Sequence, residues 1–247
     1  MKGKQKIIAL TAYDYTFAKI LDEAGVDIIL VGDSVGMVCC GDKDTKSVTI
    51  EQMAYHTKAV ARGVKHALVI GDMPIHTFDD PKGAVKNARM FLDAGATAVK
   101  VEGNIVGSVK ALINEGIPVM SHVGLTPQTA ESFKVRGKNK EEAEKILSDA
   151  KALDKAGIFS LVLECIPAQL AEEITKAISV PTIGIGAGSL CDGQILVCYD
   201  LLGMFQDFRP KFVRRFWEGG DAVKEAIVQF RQAIETGSFP SQGESYT

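Results

Sequence analysis

The sequence has no run approaching the roughly 20 apolar residues that a bilayer-spanning helix requires, which predicts no membrane partner. It has no excess of positive charge either. Its 28 Lys and Arg stand against 31 Asp and Glu, a formal net charge of −3, so no basic field draws in nucleic acid. Met1-Lys2-Gly3-Lys4-Gln5-Lys6 passes straight into Ile7-Ile8-Ala9-Leu10, too short an apolar stretch for a secretory signal core. Cysteine is sparse: Cys39, Cys40, Cys165, Cys191 and Cys198 are odd in number and lack metal-finger spacing. Cys39 and Cys40 are adjacent and ill suited to pair with each other. These features predict reduced thiols in a cytoplasmic protein.

What the chain does have is apolar mass, 46% of 247 residues. That is enough for one large core, and α/β barrels commonly reach this length as a single domain. The pattern is organised around Ile28-Ile29-Leu30-Val31-Gly32-Asp33-Ser34. A run apolar on both faces suits a buried parallel strand. Polar residues at its carboxyl end sit where α/β folds build their sites. The same pattern recurs, with strands expected at 7–11, 28–31, 67–70, 98–103, 117–121, 161–163, 182–185 and 195–198. Helical spacing falls between them: through Phe17, Ile20 and Leu21, after a Thr49 cap, over 81–92, through Val109 and Ile113, and over 138–155. Gly25, Gly95, Gly116 and Gly157 close these segments, as left-handed C-caps do. The stretch 35–47 is long for a strand-to-helix connection, which marks a lid or binding loop. A basic, aromatic segment (209–217) precedes a last helix over about 221–236 and a polar tail, 238–247, expected to be flexible. Eight strands alternating with helices predict a (β/α)8 TIM barrel, one domain over residues 1–247. An open doubly wound sheet is the alternative, disfavoured because no glycine-rich phosphate fingerprint follows the first strand.

In a barrel the strand carboxyl ends meet around one mouth. Here they supply Asp33, Ser34, Asp72, Lys100, Glu102, His122 and Glu164. Within 98–103, Lys100 and Glu102 fall on one face, Val99 and Val101 on the other. Four carboxylates in one mouth repel unless something positive sits among them. Lys100 alone is not enough. A hard divalent cation with oxygen ligands and retained waters, magnesium, answers the need. Zinc suits less, because no cysteine or histidine pair has ligand spacing. Each residue also has a structural alternative. Asp33 could cap a helix, Asp72 could belong to the turn before Met73-Pro74, Lys100 and Glu102 could be a buried ion pair, and His122 could bond across a loop. Those alternatives do not explain why all of them gather at the same mouth. His56, His66 and His76 receive no role. Gly184, Gly186 and Gly188 suit a phosphate loop or, with the larger share, relief of crowding beside a substrate.

Magnesium facing a carboxylate base suggests chemistry on a 2-oxo acid. Chelation polarises the carbonyl and makes a proton on the adjacent carbon removable; a general base takes it. Glu164 suits that base, because the apolar strand before it and Cys165-Ile166-Pro167 after it disfavour the ionised form.

Several stretches resemble the ketopantoate hydroxymethyltransferase family: Thr11-Ala12-Tyr13-Asp14, Gly32-Asp33-Ser34-Val35-Gly36-Met37, Tyr55-His56-Thr57, Val99-Lys100-Val101-Glu102-Gly103 and His122-Val123-Gly124-Leu125-Thr126-Pro127-Gln128. So do Leu163-Glu164-Cys165-Ile166-Pro167, Gly184-Ile185-Gly186-Ala187-Gly188 and Asp192-Gly193-Gln194-Ile195-Leu196-Val197. The resemblance covers nearly the whole chain in order. It implies a (β/α)8 barrel that moves a one-carbon unit from 5,10-methylenetetrahydrofolate to 3-methyl-2-oxobutanoate, giving 2-dehydropantoate for pantothenate biosynthesis. It implies that Asp33 and Asp72 hold magnesium, with Glu102 a further metal-site carboxylate, directly or through water. It implies that Ser34 and Lys100 bind the substrate carboxylate, with Asp33 and Asp72 close by. Glu164 would remove the C3 proton, with His122 a nearby polar contact, and the chain would assemble as a homodecamer.

The chain departs from the family in two places. Family members usually carry a helix before the first strand, whereas this chain starts almost directly at Lys6-Ile7. A glycine pair often precedes Lys134-Val135-Arg136-Gly137, where Glu131-Ser132-Phe133 stands here, bordering the expected folate site. Two further readings compete. One is a related magnesium barrel that cleaves or rearranges 2-oxo acids, which would need a cysteine or other acid on a mobile loop; Cys39 and Cys40 lie in the right region, but their flanking sequence does not resemble that loop. The other is a barrel kept as a binding protein, which loss of a site carboxylate would favour; none is missing.

Overall fold

The computed structural model describes residues 2–246 except Glu131 and Phe133. Two compact units divide the chain, Met1–Val197 and Cys198–Thr247. The first contains β1 (Ile7–Thr11), α1 (Tyr15–Glu23), β2 (Ile28–Val31), α2 (Val35–Val38), α3 (Ile50–Gly63), β3 (Leu68–Asp72) and α4 (Pro81–Asp93). It continues with β4 (Ala98–Glu102), α5 (Val106–Asn114), β5 (Val119–Gly124), α6 (Lys140–Ala156), β6 (Ser160–Glu164), α7 (Ala168–Ala177), β7 (Thr182–Ile185) and β8 (Gly193–Leu196). All eight strands are parallel and follow sequence order around a closed ring, with β8 pairing back onto β1. This is a TIM barrel. The second unit holds α8 (Cys198–Leu201), α9 (Gly219–Glu235) and a 3-10 turn, Gln242–Glu244.

Local chemistry explains the boundaries. Asp14 accepts from the Phe17 N–H, Thr49 and Gln52 form a reciprocal capping box, and Asp80 caps α4 ahead of Pro81. Gly25, Gly95, Gly116 and Gly157 all have positive φ at helix ends. β3 and β6 start one residue from where the sequence suggests, and β5 and β8 two. Pro118 has no N–H for the ladder, so β5 begins at Val119 and runs on to Gly124, which pairs with Glu164. The Asp192 carboxylate accepts from the Thr182 N–H. That draws Gly193 into register with Ile7 and Ile183, so β8 is already over when Cys198 begins α8.

Inside the ring, Ile7, Ala9, Ile28, Leu30, Ile70, Ala98, Met120, Val162, Ile183 and Ile195 form one buried cluster. Strand side chains alternate, so the residue two positions beyond each of these faces inward as well. Asp72 follows Ile70, Lys100 and Glu102 follow Ala98, His122 follows Met120, and Glu164 follows Val162. An apolar plug therefore ends in a polar layer at the carboxyl ends. At the opposite end a cavity of about 630 Å³ opens among Ile7, Ile28, Leu68, Phe159 and Pro181. Among the described residues no helix is long and apolar enough to cross a membrane.

Candidate active site

Every residue expected at the mouth is there. Asp33, Asp72, Lys100, Glu102 and His122 are buried, and Ser34 and Glu164 are half-buried. Register places Asp72 beside Lys100, Glu102 beside His122, and Gly124 beside Glu164. The Lys100 ammonium donates to Asp72 Oδ1 at 2.8 Å and Oδ2 at 3.0 Å, and to Glu102 Oε1 at 3.3 Å. His122 Nδ1 bonds the same Glu102 oxygen at 3.2 Å. On its other side, His122 Nε2 lies 3.3 Å from Glu164 Oε2, in ion-pair range but out of line for a hydrogen bond. The Asp33 N–H donates to Asp72 Oδ2 at 3.3 Å. A continuous charged row thus runs Asp33, Asp72, Lys100, Glu102, His122, Glu164.

The row is electrostatically uneven. Burial pushes the Asp33 carboxyl well above the usual carboxylate range, and Asp72 adds to the push against the pull of Lys100. Burial also raises Asp72, although Lys100 opposes it. Glu102 behaves oppositely: burial works against its charge, but Lys100 and then His122 outweigh it and hold the carboxyl at about 2. Burial should likewise discharge His122, yet Glu102, with Glu164 beyond it, lifts the imidazole to about 9. Burial opposes charge on Lys100 too, and Asp72, Glu102 and Asp33 together keep it protonated. The charge left over is negative and lies on the Asp33–Asp72 side.

That surplus fits a hard cation with oxygen ligands. Among the described residues no three carboxylate, imidazole or thiol groups already close around one point, because the Lys100 ammonium stands between them. Gln128, which the sequence reading gave no role, also reaches the site. It is buried, donating from Nε2 to Asp33 and from its main chain to Glu102, while its Oε1 has no partner among the described residues. A buried carbonyl oxygen without a donor, beside excess carboxylate charge, suits a hydrated cation.

Other unassigned residues brace the rim. The Tyr13 hydroxyl bonds Thr11 at 2.8 Å and Ser34 at 2.9 Å, and His56 Nδ1 lies 2.7 Å from the Tyr13 carbonyl. Both belong to the stretches that carried the family resemblance. Two loops meet over the mouth, where Lys46 Nζ donates to the Ala130 carbonyl at 3.3 Å. The neighbouring change at 131–133 falls mostly outside the described residues. Of Gly184, Gly186 and Gly188, two are closely packed: a Cβ on Gly184, within β7, would lie 2.9 Å from Cys191 Sγ, and one on Gly188 2.6 Å from that of Ala168. Cys39 and Cys40 are exposed at the end of α2, and among the described residues no disulfide joins the five cysteines.

A sequence profile of the ketopantoate hydroxymethyltransferase family matches residues 1–242. The 3-methyl-2-oxobutanoate hydroxymethyltransferase of Clostridium novyi is 53% identical over 245 residues, covering 96% of this chain and 89% of that protein. The protein of the same name from Caldicellulosiruptor saccharolyticus is 49% identical, covering 98% of this chain and 94% of its own. Among solved structures, phosphonopyruvate hydrolase in complex with oxalate and Mg2+ superposes with a TM-score of 0.63 at 14% identity, covering 97% of this chain and 88% of that one. Oxaloacetate acetylhydrolase with its product oxalate gives 0.65 at 12% identity, with 92% and 82% covered. These two share the fold. The chain belongs to the ketopantoate hydroxymethyltransferase family.

Proposed function

We propose that this enzyme transfers a hydroxymethyl group from 5,10-methylenetetrahydrofolate to 3-methyl-2-oxobutanoate, giving 2-dehydropantoate on the route to pantothenate. The name shared by its relatives supports the acceptor and the transfer. One observation carries the mechanism: Glu164 ends the same inward-facing row as Asp72, Lys100 and Glu102, with a buried imidazolium 3.3 Å from its Oε2. Lys100 and Ser34 hold the substrate carboxylate and so fix C3 toward Glu164. Glu164 takes the C3 proton, and His122 orients it by charge. Asp33 and Asp72, with Glu102 behind them, would hold magnesium, which when bound would polarise the 2-oxo acid and so make this proton acidic. The new carbon–carbon bond joins C3 to the one-carbon unit as both of that unit's bonds to folate nitrogens break; water supplies the hydroxyl oxygen, and tetrahydrofolate leaves with the proton taken from C3 and one from water on those two nitrogens. Asp33, Asp72, Lys100, Glu102 and His122 are all buried, which excludes bulk water from the floor.

The test is hydrogen exchange at C3 of 3-methyl-2-oxobutanoate in deuterated water, followed by NMR without folate. Exchange should require magnesium, vanish with chelator and vanish in Glu164→Gln. Folded, metal-loaded protein that does not exchange would show that this is not the substrate or that Glu164 is not the base. The proposal extends to a cytoplasmic location, which five cysteines outside any disulfide suit, and to a homo-oligomer, the decamer of the family. Helix α9 supports assembly, because Ile227, Val228, Phe230 and Ile234 are all exposed on it.

A further inference from the structure

We infer that Gln128, on the loop after β5, is a positioning residue for the cation site, with its side-chain carbonyl serving as acceptor for a water that the cation retains. The inference rests on the magnesium part of the proposed function. Gln128 is only 1% exposed although it lies in a loop. Its Nε2 has two neighbours, Asp33 Oδ2 and the Met73 carbonyl, each at 3.0 Å. The Met73 carbonyl can only accept, so the amide atom facing it is the nitrogen. The chemistry thus fixes the amide orientation. Oε1 then faces away from both, buried and without a partner among the described residues. Native proteins leave few such acceptors unsatisfied.

The same residue reaches the second carboxylate. Its main-chain N–H donates to Glu102 Oε2 at 3.2 Å, while Glu102 Oε1 already accepts from Lys100 and His122. Both Glu102 oxygens are therefore committed to protein donors, which favours contact with a cation through water. Asp33 differs: Gln128 engages Oδ2, and Oδ1 remains for a ligand. One loop residue thereby fixes two carboxylates that arrive on different strands. Removing groups that orient metal ligands in this way typically weakens metal binding about 10–100-fold. Hydrated magnesium keeps several waters that need acceptors, and Oε1 is such an acceptor.

The measurement is Mn2+ binding to substrate-free protein, read from the EPR signal of free Mn2+, for wild type, Gln128→Met and Gln128→Asn. Methionine keeps length and fills the space but removes donor and acceptor. Asparagine keeps both amide atoms and withdraws them by one methylene, so it tests reach and stands in should the first variant fail to fold. Both should weaken Mn2+ binding about 10–100-fold while metal-free melting temperatures stay close to wild type. A purely structural role would lower melting and leave the Mn2+ dissociation constant unchanged. Folded variants that bind Mn2+ within about threefold of wild type overturn the inference. Wild-type protein that binds Mn2+ but does not exchange C3 hydrogen overturns the substrate reading and leaves Gln128 to be judged on its own comparison. Wild-type protein that binds no Mn2+ overturns both.

Discussion

Replacing Lys100 with methionine removes the ammonium that stands between Asp72 and Glu102, 2.8 and 3.3 Å away. Breaking a buried pair by deleting one partner costs about 3–5 kcal/mol. The position in that range depends on pH. Burial already raises Asp33 and Asp72, and without Lys100 they can relieve the excess charge by taking up protons. A carboxyl whose folded value lies above its unfolded value contributes stability at low pH and loses it as pH rises through the folded value. The variant should therefore lose about 3–5 kcal/mol, and more at pH 8 than at pH 6. In wild type the opposing Lys100 value is itself raised, so its contribution persists across that window. At about 2–4 °C per kcal/mol for a chain of this size, the melting point should fall by about 6–20 °C. Scanning calorimetry with chelator at both pH values is the assay, and added magnesium should recover part of the loss. A loss under about 1 kcal/mol, or one that shrinks toward pH 8, would refute the claim that Lys100 holds this cluster together.

Asp22 is buried and accepts from the N–H groups of Lys65, His66 and Ala67 at 3.0, 2.9 and 2.8 Å. Asp22→Ala should cost about 2–4 kcal/mol in neutral urea titrations. Burial opposes its charge, but those three donors hold the carboxyl below its ordinary value. Its contribution is whole above the unfolded value and fades as pH falls through the folded one, so the gap between wild type and variant must narrow in acid; a constant gap would contradict this. In Gly71→Ala the new Cβ would meet the fully buried Phe91 ring, 2.9 Å from Cγ. That should cost about 1–3 kcal/mol in thermal unfolding and slow C3 exchange by displacing Asp72. Paired Ile227→Asp and Phe230→Asp changes on α9 should reduce assembly size in light scattering, and an unchanged mass would remove this face from the interface.

The inward row was legible because strand geometry has a period of two and parity survives boundary errors. The expected β5, 117–121, and the observed Val119–Gly124 differ at both ends. Met120 and His122 nevertheless share a face under either assignment, and the same holds for Ala98, Lys100 and Glu102. A sum of charges could also be read from the chain, and it pointed to a missing cation. Partner choice could not be read. Which carboxylate Lys100 neutralises, and therefore why Glu102 falls to about 2 while Asp33 rises, depends on separations of a few tenths of an ångström across strands. Gln128 was illegible for a different reason. Its loop has no period, and its burial follows from where Asp33, Met73 and Glu102 stand once the barrel has closed. A buried layer of like charge needs donors from outside its own strands, since each strand's N–H groups are already spent on the ladder. The loops that cross the mouth are the remaining source, so a buried polar residue shortly after a strand end is where such a donor should be sought.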